Sequence, residues 1–198
     1  MPSSSRVRPI VDSFSSVMTP GCRIIDIGAG KGLLAQEMRQ RFAAKVTMVD
    51  VAQYNQTDLP LAVCDSRALS FAGQSFDFAI LSFVLHHSPN PDALLGEALR
   101  VAARVIVIEN DVRGAMRGVV TRMIDSWPAI QYGTPPCYIT QSREAWMDTF
   151  KKFPVQVSVL KEFSLEFGFF RNITVMLAQH HTSLSGMKEP NGSNSSVS

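Results

Sequence analysis

Apolar positions along the chain form short uninterrupted runs, and these runs alternate with segments in which apolar residues recur every three or four positions. The spaced pattern is typical of one face of a helix, and the runs are typical of strands that are buried on both sides. The runs predict strands at 23–27, 45–50, 61–64, 76–83 and 105–108. The spaced segments predict helices at about 7–17, 32–42, 91–102 and 143–153.

Strands that alternate with helices predict a parallel sheet with helices on both faces. Two later runs, 155–163 and 172–178, flank Gly168 and predict a hairpin, so the sheet should end in antiparallel strands. We therefore expect an α/β fold that is Rossmann-like and doubly wound. Its seven-stranded sheet should be mostly parallel and carry an antiparallel C-terminal hairpin.

Residues 110–142 interrupt this alternation and contain several aromatic residues and two adjacent prolines. A loop after the fifth strand lies over the edge where open parallel sheets bind ligands, so we interpret it as a substrate lid. Within it, Trp127, Tyr132 and Tyr138 are expected to line the substrate pocket. The lid belongs to one expected domain, 1–181, and the Ser/Asn/Gly-rich residues 182–198 are expected to form a disordered tail.

The composition mainly excludes certain classes of partner and location. The 198 residues are 45% hydrophobic, which suits one globular domain. The net charge of +2 is too small to favour nucleic acid or an anionic membrane as a partner, and we expect no membrane span. Three cysteines without a CxxC pair favour a reduced, cytoplasmic compartment. The expected assembly is a monomer or a homodimer.

The strongest chemical signal is the segment 26–32, Asp-Ile-Gly-Ala-Gly-Lys-Gly, which follows a strand and opens a helix. Glycines there let the backbone approach a ligand closely, and a helix N-terminus directs N–H groups at that ligand. A P-loop requires Ser or Thr after its lysine, but Gly32 follows Lys31. A dinucleotide fingerprint requires a third glycine where the chain has Leu33. The pattern that remains is GxGxG with an acid before it.

Acidic residues end the next two predicted strands. Asp50 ends the second, where a carboxylate can accept hydrogen bonds from both ribose hydroxyls of an adenosine ligand, and Val51 can pack on the adenine. Asp65 ends the third, where it can accept from an adenine amino group beside the N–H of Ser66. A helix N-cap explains Asp65 equally well.

These segments, together with Phe76-Asp77, His86-His87, Glu97 and Arg100, resemble class I S-adenosylmethionine-dependent methyltransferases. The resembling branch acts on small molecules and includes ubiquinone-biosynthesis methyltransferases. The resemblance covers about residues 22–109 and implies S-adenosylmethionine as cofactor, with methyl transfer to oxygen, nitrogen or carbon of a small-molecule acceptor. The cofactor residues then comprise Asp26, Gly28, Ala29, Gly30, Gly32, Asp50, Val51, Asp65, Ser66, Ser82 and Phe83.

Within that resemblance, the glycine segment backs the methionine part of the cofactor, and Ser82 and Phe83 lie beside the methionine end. The chain departs from many relatives because it lacks Pro-Gly-Gly between the helix at 91–102 and the fifth strand. This departure shortens a turn on the far side of the sheet from the cofactor, so it affects the element boundaries more than the function.

His86 and His87 follow the fourth strand and are candidate general bases, because histidine accepts protons near neutral pH. Alternatively, one of them caps or orients the following loop and the other is simply exposed, since methyl transfer from a sulfonium depends mainly on alignment. No metal is expected, because the spacing of Asp77, Glu109 and Asp111 is unspecific. Other functions remain open: a non-catalytic cofactor-binding module, an NAD(P)-binding Rossmann oxidoreductase and, less favoured, a protein or RNA methyltransferase.

Overall fold

A computed structural model describes residues 4–64, 68–114, 118, 136–165 and 170–179 of the chain. Its strands are β1 (Arg23–Ile27), β2 (Lys45–Asp50), β3 (Leu61–Val63), β4 (Phe76–Ser82), β5 (Ala102–Asn110), β6 (Val155–Leu165) and β7 (Phe170–Gln179). Its helices within those ranges are α1 (Ser4–Asp12), α2 (Leu33–Phe42), α3 (Pro91–Val101) and α4 (Arg143–Phe150). Short 3₁₀ turns lie at Ser15–Val17 and Leu85–His87.

The seven described strands form one sheet in the order β3-β2-β1-β4-β5-β7-β6. Neighbours from β3 to β5 pair in parallel, whereas β7 pairs antiparallel with both β5 and β6. The mostly parallel sheet with an antiparallel end is therefore confirmed. Because the parallel strands all end at one edge, here called the carboxyl edge, the segments that follow β1, β2, β4 and β5 meet there.

Both faces of the sheet are buried, which explains why most positions of its central strands are apolar. Along β5, Val105 and Val107 belong to one core cluster, which also contains residues of α3 and α4. Ile106 and Ile108 alternate with them and belong to a second cluster, which contains residues of α1 and α2. The layers are thus helices, sheet and helices, as the alternation of strands and helices predicted.

The junction between α3 and β5 contains no turn. Ala102 follows the helix directly, has extended backbone angles (φ −128°, ψ 149°) and pairs with Phe76 of β4. The strand predicted at 105–108 is therefore longer at both ends and includes Asn110, the first residue assigned to the lid. At the other end of α3, the Asn90 side chain caps the helix by accepting a hydrogen bond from the Ala93 N–H at 3.0 Å.

Helix α4 begins where it was predicted but ends at Phe150 rather than 153. Its start is capped by Ser142, whose hydroxyl accepts a hydrogen bond from the Ala145 N–H at 3.3 Å. Pro154 accounts for the early end, since a proline disfavours helical backbone angles in the residue before it. Trp146 fixes the helix to the end of β5 by donating its ring N–H to the Asn110 carbonyl at 3.1 Å.

Candidate cofactor site

Residues 28–32, here called the glycine loop, connect β1 to α2 through three left-handed backbone positions. The φ angles of Gly28, Gly30 and Gly32 are +75°, +55° and +77°. A Cβ atom at Gly28 would lie 2.4 Å from the Val84 side chain, whereas a Cβ at Gly30 would meet nothing within 4 Å. The loop is thus closely packed at Gly28 and open at Gly30, and the open side leaves room for a ligand to approach the backbone.

The end of β2 holds the glycine loop in place. The N–H groups of Gly28 and Ala29 both donate to the Val49 carbonyl, at 2.8 and 3.2 Å. The Asp50 carboxylate accepts from the Gly30 N–H at 2.7 Å and from the Val51 N–H at 2.7 Å. The glycine motif and the acid after the second strand, which the sequence assigned to one ligand, are therefore in direct contact.

Asp50 is 9% exposed. Burial raises the pKa of its carboxyl group, and the hydrogen bonds donated by the Gly30, Val51 and Ala52 N–H groups act in the opposite direction. Each carboxylate oxygen has two lone pairs, and among the described residues Oδ2 accepts only from the Gly30 N–H, so Asp50 can still accept a hydrogen bond from a ligand hydroxyl while it holds the loop.

Asp26 lies near the end of β1 with 1% of its surface exposed. None of the described residues donates a hydrogen bond to its Oδ2 atom. Burial, and to a smaller extent the nearby charge of Asp50, raises the pKa of Asp26 to about 7. A buried carboxyl oxygen without a donor is costly, and such groups usually mark a place where a ligand completes the hydrogen bonding.

The exit from β4 packs against the glycine loop. Phe83 has a left-handed backbone (φ +57°), which is uncommon for a bulky residue, and its N–H donates to the Ile108 carbonyl at 2.9 Å. The next residue, Val84, is the one whose side chain fills the space beside Gly28. Ser82 and Phe83 precede this contact in the chain, and their role beside the methionine end of the cofactor stays a prediction.

His86 forms a buried pair with Glu109 of β5. The Nδ1 atom of His86 lies 2.7 Å from Oε2 of Glu109, and 5% and 1% of the two side chains are exposed. The His86 N–H also points to Oε1 of Glu109 at 3.4 Å. The pairing was not predicted, although Glu109 shares the strand face of Val105 and Val107, which showed that it points inward.

A family model described as a methyltransferase domain matches residues 25–104 of the chain. Over 158 residues the chain is 30% identical to the demethylmenaquinone methyltransferase of Renibacterium salmoninarum, covering 71% of this chain and 66% of that protein. By these matches the chain is similar to S-adenosylmethionine-dependent methyltransferases of class I. The cofactor of this methyltransferase family is S-adenosylmethionine.

Two further methyltransferases are similar. The ubiquinone/menaquinone biosynthesis C-methyltransferase UbiE of Bordetella avium is 33% identical over 106 residues, which is 46% of this chain and 41% of that protein. The chain thus spans less than two thirds of the length of both curated relatives. A Haemonchus contortus phosphoethanolamine N-methyltransferase, solved with S-adenosylhomocysteine, shares the fold. Its TM-score is 0.66 at 15% identity, and the match covers 88% of this chain and 52% of the other.

The structure describes only some of the remaining residues that were assigned to the methyltransferase site. The ring of His87 lies 4.2 Å from that of His86, centre to centre. Tyr138 is 45% exposed, and its N–H donates to the His86 carbonyl at 2.9 Å. Val51 is 46% exposed beside Asp50. Four assigned residues lie outside the described part of the chain: Asp65, Ser66, Trp127 and Tyr132.

The three acids considered for a metal lie in separate contacts. Asp77 accepts hydrogen bonds from Arg23 at the amino ends of β4 and β1, on the far edge from the glycine loop. Glu109 pairs with His86, and Asp111 accepts from the Arg143 N–H at 2.9 Å. None of the helices in the described residues has the length and apolar character that a membrane crossing requires.

Proposed function

We propose that this protein binds S-adenosylmethionine at the carboxyl edge, over the glycine loop, and transfers its methyl group to a small-molecule acceptor. The observation that carries the proposal is the buried Oδ2 atom of Asp26, which accepts a hydrogen bond from none of the described residues and lies close to the loop that Asp50 holds. A ligand with an ammonium group and a ribose satisfies both acids at once. The chain's small net charge supports a small molecule rather than nucleic acid as acceptor.

The residues fit this cofactor. Asp26 offers a negative charge for the α-ammonium group, and Asp50 offers acceptor oxygens for the ribose hydroxyls. The open space above Gly30 admits a ligand without displacing side chains. Val51 is exposed next to Asp50 and offers an apolar surface for the adenine. Roles for Asp65 and Ser66 at the adenine, and for the lid at the acceptor, remain predictions.

When bound, S-adenosylmethionine supplies a methyl group that its sulfonium makes electrophilic. The protein's part is to hold and align, because displacement at carbon requires the acceptor atom, methyl and sulfur in line. The glycine loop and the exit from β4 form two sides of the proposed cofactor space, and they pack against each other because the Val84 side chain lies beside Gly28. The names of both curated relatives contain the name of a quinone, which supports reduced quinones as acceptor probes.

Titration calorimetry with S-adenosylhomocysteine and, separately, with NAD tests the proposed function. We expect saturable binding of S-adenosylhomocysteine and no heat of binding with NAD, because the chain has Leu33 where the dinucleotide fingerprint requires glycine. Saturable NAD binding without a response to S-adenosylhomocysteine would refute the proposal and favour an oxidoreductase.

Asp50→Ala is expected to weaken S-adenosylhomocysteine binding about tenfold or more, because hydrogen bonds to a charged group contribute about 1.5–3 kcal/mol. Asp65→Ala should weaken it less. Asp58→Ala serves as the matched control, since Asp58 is an exposed acid in the same segment after β2. Calorimetry measures the affinities, and circular dichroism checks the fold. Equal affinity of Asp50→Ala and wild type would contradict the ribose role.

A further inference from the structure

Glu97 and Arg100 of α3 belong to the family resemblance, but the proposed cofactor contacts do not include them. They are three residues apart on the helix, so their side chains share one face. The arginine donates from Nε to Oε1 of the glutamate at 2.7 Å and from Nη2 to Oε2 at 2.9 Å. The two side chains, here called the Glu97–Arg100 clamp, thus form one ion pair with two hydrogen bonds.

The clamp binds the backbone of the connection between β3 and β4 at two residues. Oε2 of Glu97 accepts from the Leu69 N–H at 2.8 Å. Arg100 donates to the carbonyl of Leu69 and to that of Phe71, both at 2.8 Å. Residues 68–71 belong to no helix or strand, so side chains of α3 supply the partners that a neighbouring strand would otherwise supply. Both backbone groups of Leu69 are therefore held by one helix.

The opposite end of the connection is fixed to an acid of the cofactor site. Cys64 follows β3 and donates its N–H at 2.9 Å to the carbonyl of Asp50, whose carboxylate holds the glycine loop. Cys64 and Leu69 both pack in the core cluster that contains residues of α3. Asp65 and Ser66, which the sequence predicts at the adenine, come between these two residues in the chain. The predicted adenine segment thus begins and ends at a fixed point.

Packing of Leu69 alone would not fix the path of the chain. Hydrophobic burial has no preferred direction, whereas hydrogen bonds to an N–H and a C=O fix the orientation of the backbone. Hydrogen bonds that involve a charged group are the stronger ones. The hydrogen bonds from Arg100 lower the pKa of Glu97, which keeps this carboxylate ionised at neutral pH. The clamp therefore supplies an orientation that burial does not.

We propose that Glu97 and Arg100 are positioning residues for the adenine end of the cofactor and that they act through the backbone of Leu69. This inference rests on the proposed function and on the predicted contact of Asp65 with the adenine amino group. A chain that is held at both ends loses less conformational freedom when a ligand binds, so this contact forms at a smaller entropic cost. The clamp thereby determines how strongly the protein selects adenine over another purine base.

Arg100→Lys is the first test variant, with Glu97→Gln as a second. Lysine keeps the positive charge, but one ammonium group does not reproduce the planar arrangement that reaches Glu97 and two carbonyls. Glutamine keeps an oxygen for the Leu69 N–H and lacks the charge, so it is the milder change. Arg23→Ala is the matched control, because it removes an exposed arginine that pairs with Asp77 at the amino ends of β1 and β4.

Hydrogen exchange measured by mass spectrometry tests the clamp without a ligand. In Arg100→Lys the peptide that contains residues 68–73 should exchange faster, because the hydrogen bonds of the connection open more often. Peptides from β1, β4 and β5 should exchange as in wild type, and so should every peptide of Arg23→Ala away from its own position. Unchanged exchange of the connection, or an equal increase in all strands, would overturn the inference.

Calorimetry with S-adenosylhomocysteine and S-inosylhomocysteine tests the adenine role, because inosine has a carbonyl where adenosine has its amino group. Wild type and Arg23→Ala should bind the adenosyl compound about tenfold more tightly, as expected for a hydrogen bond to a charged group. This preference should largely disappear in Arg100→Lys and decrease in Glu97→Gln. Equal losses of affinity for both compounds, or wild type without a preference, would contradict the positioning role. Wild type that binds neither compound would instead contradict the proposed function.

Discussion

Asp26→Asn should weaken S-adenosylhomocysteine binding about a hundredfold or more and, above about pH 8, should stabilise the empty protein. The binding loss follows from the burial of Asp26, because breaking a buried ion pair by removing one partner costs about 3–5 kcal/mol. The ammonium group of the ligand would then face an amide in place of a carboxylate. Asparagine has nearly the same shape, so the loss measures charge rather than packing.

The stabilisation follows from the pKa of Asp26, which is raised from 3.8 to about 7 by burial and by Asp50. An acid with a raised folded-state pKa holds its proton better in the folded chain, so stability falls as the pH rises through this window. The penalty is complete above about pH 7 and amounts to roughly 4 kcal/mol at 1.36 kcal/mol per unit. Allowing about 1–3 kcal/mol for burying the amide, the net gain is about 1–3 kcal/mol.

Urea denaturation of both proteins without ligand, at about pH 5 and about pH 8.5, measures this difference, and calorimetry measures the affinity. The gain in unfolding free energy should be present at the higher pH and small at the lower one. Asp77→Asn is the control, because Asp77 is an exposed acid paired with Arg23 at the far edge. Undiminished binding by Asp26→Asn would show that Asp26 does not contact the ligand.

Gly28→Ala is expected to destabilise the protein by about 2–4 kcal/mol, and Gly30→Ala by about 1–2 kcal/mol. Both glycines have left-handed backbones, so alanine is strained at either position. At Gly28 the added methyl also lies 2.4 Å from the Val84 side chain, and the β-branched Val84 has little freedom to rotate away. The difference between the two variants isolates this contact.

The pair of variants also distinguishes packing from binding. The methyl of Gly30→Ala enters the open space where we place the cofactor, so affinity for S-adenosylhomocysteine should fall while most stability remains. Chemical denaturation gives the first quantity and calorimetry the second. Equal destabilisation by the two changes would contradict the packing at Val84, and unaltered affinity in Gly30→Ala would contradict the placement of the cofactor.

Much of the site could be predicted because parallel strands end at one edge. Once Asp50 was assigned to a strand end, its proximity to the glycine loop followed from topology, and the Gly30 N–H to Asp50 contact agrees. The contact of His86 with Glu109 could not be predicted in this way. It depends on the register of β4 with β5, in which Ser82 pairs with Ile108, and on the 3₁₀ turn after β4. Neither leaves a periodic signal in the sequence.

The ends of helices were also less predictable than their centres. Apolar residues continue from α3 into β5 without a break. Val101 ends the helix and Ala102 begins the strand, and both are buried. Without a glycine or proline to mark the change, only pairing with Phe76 places the boundary. Such a boundary is decided by tertiary contacts rather than by local preference.

Because β5 follows α3 directly, this part of the chain has no loop residues that could absorb an insertion. Side chains alternate between the faces of a strand, so one residue inserted after Val101 would reverse every side chain of β5 that follows it. The isoleucines and valines could exchange faces at modest cost, since both faces are apolar. Glu109 could not, because its carboxylate would leave His86 for a hydrocarbon surface. The length of α3 thereby sets the position of a charge at the other end of the strand.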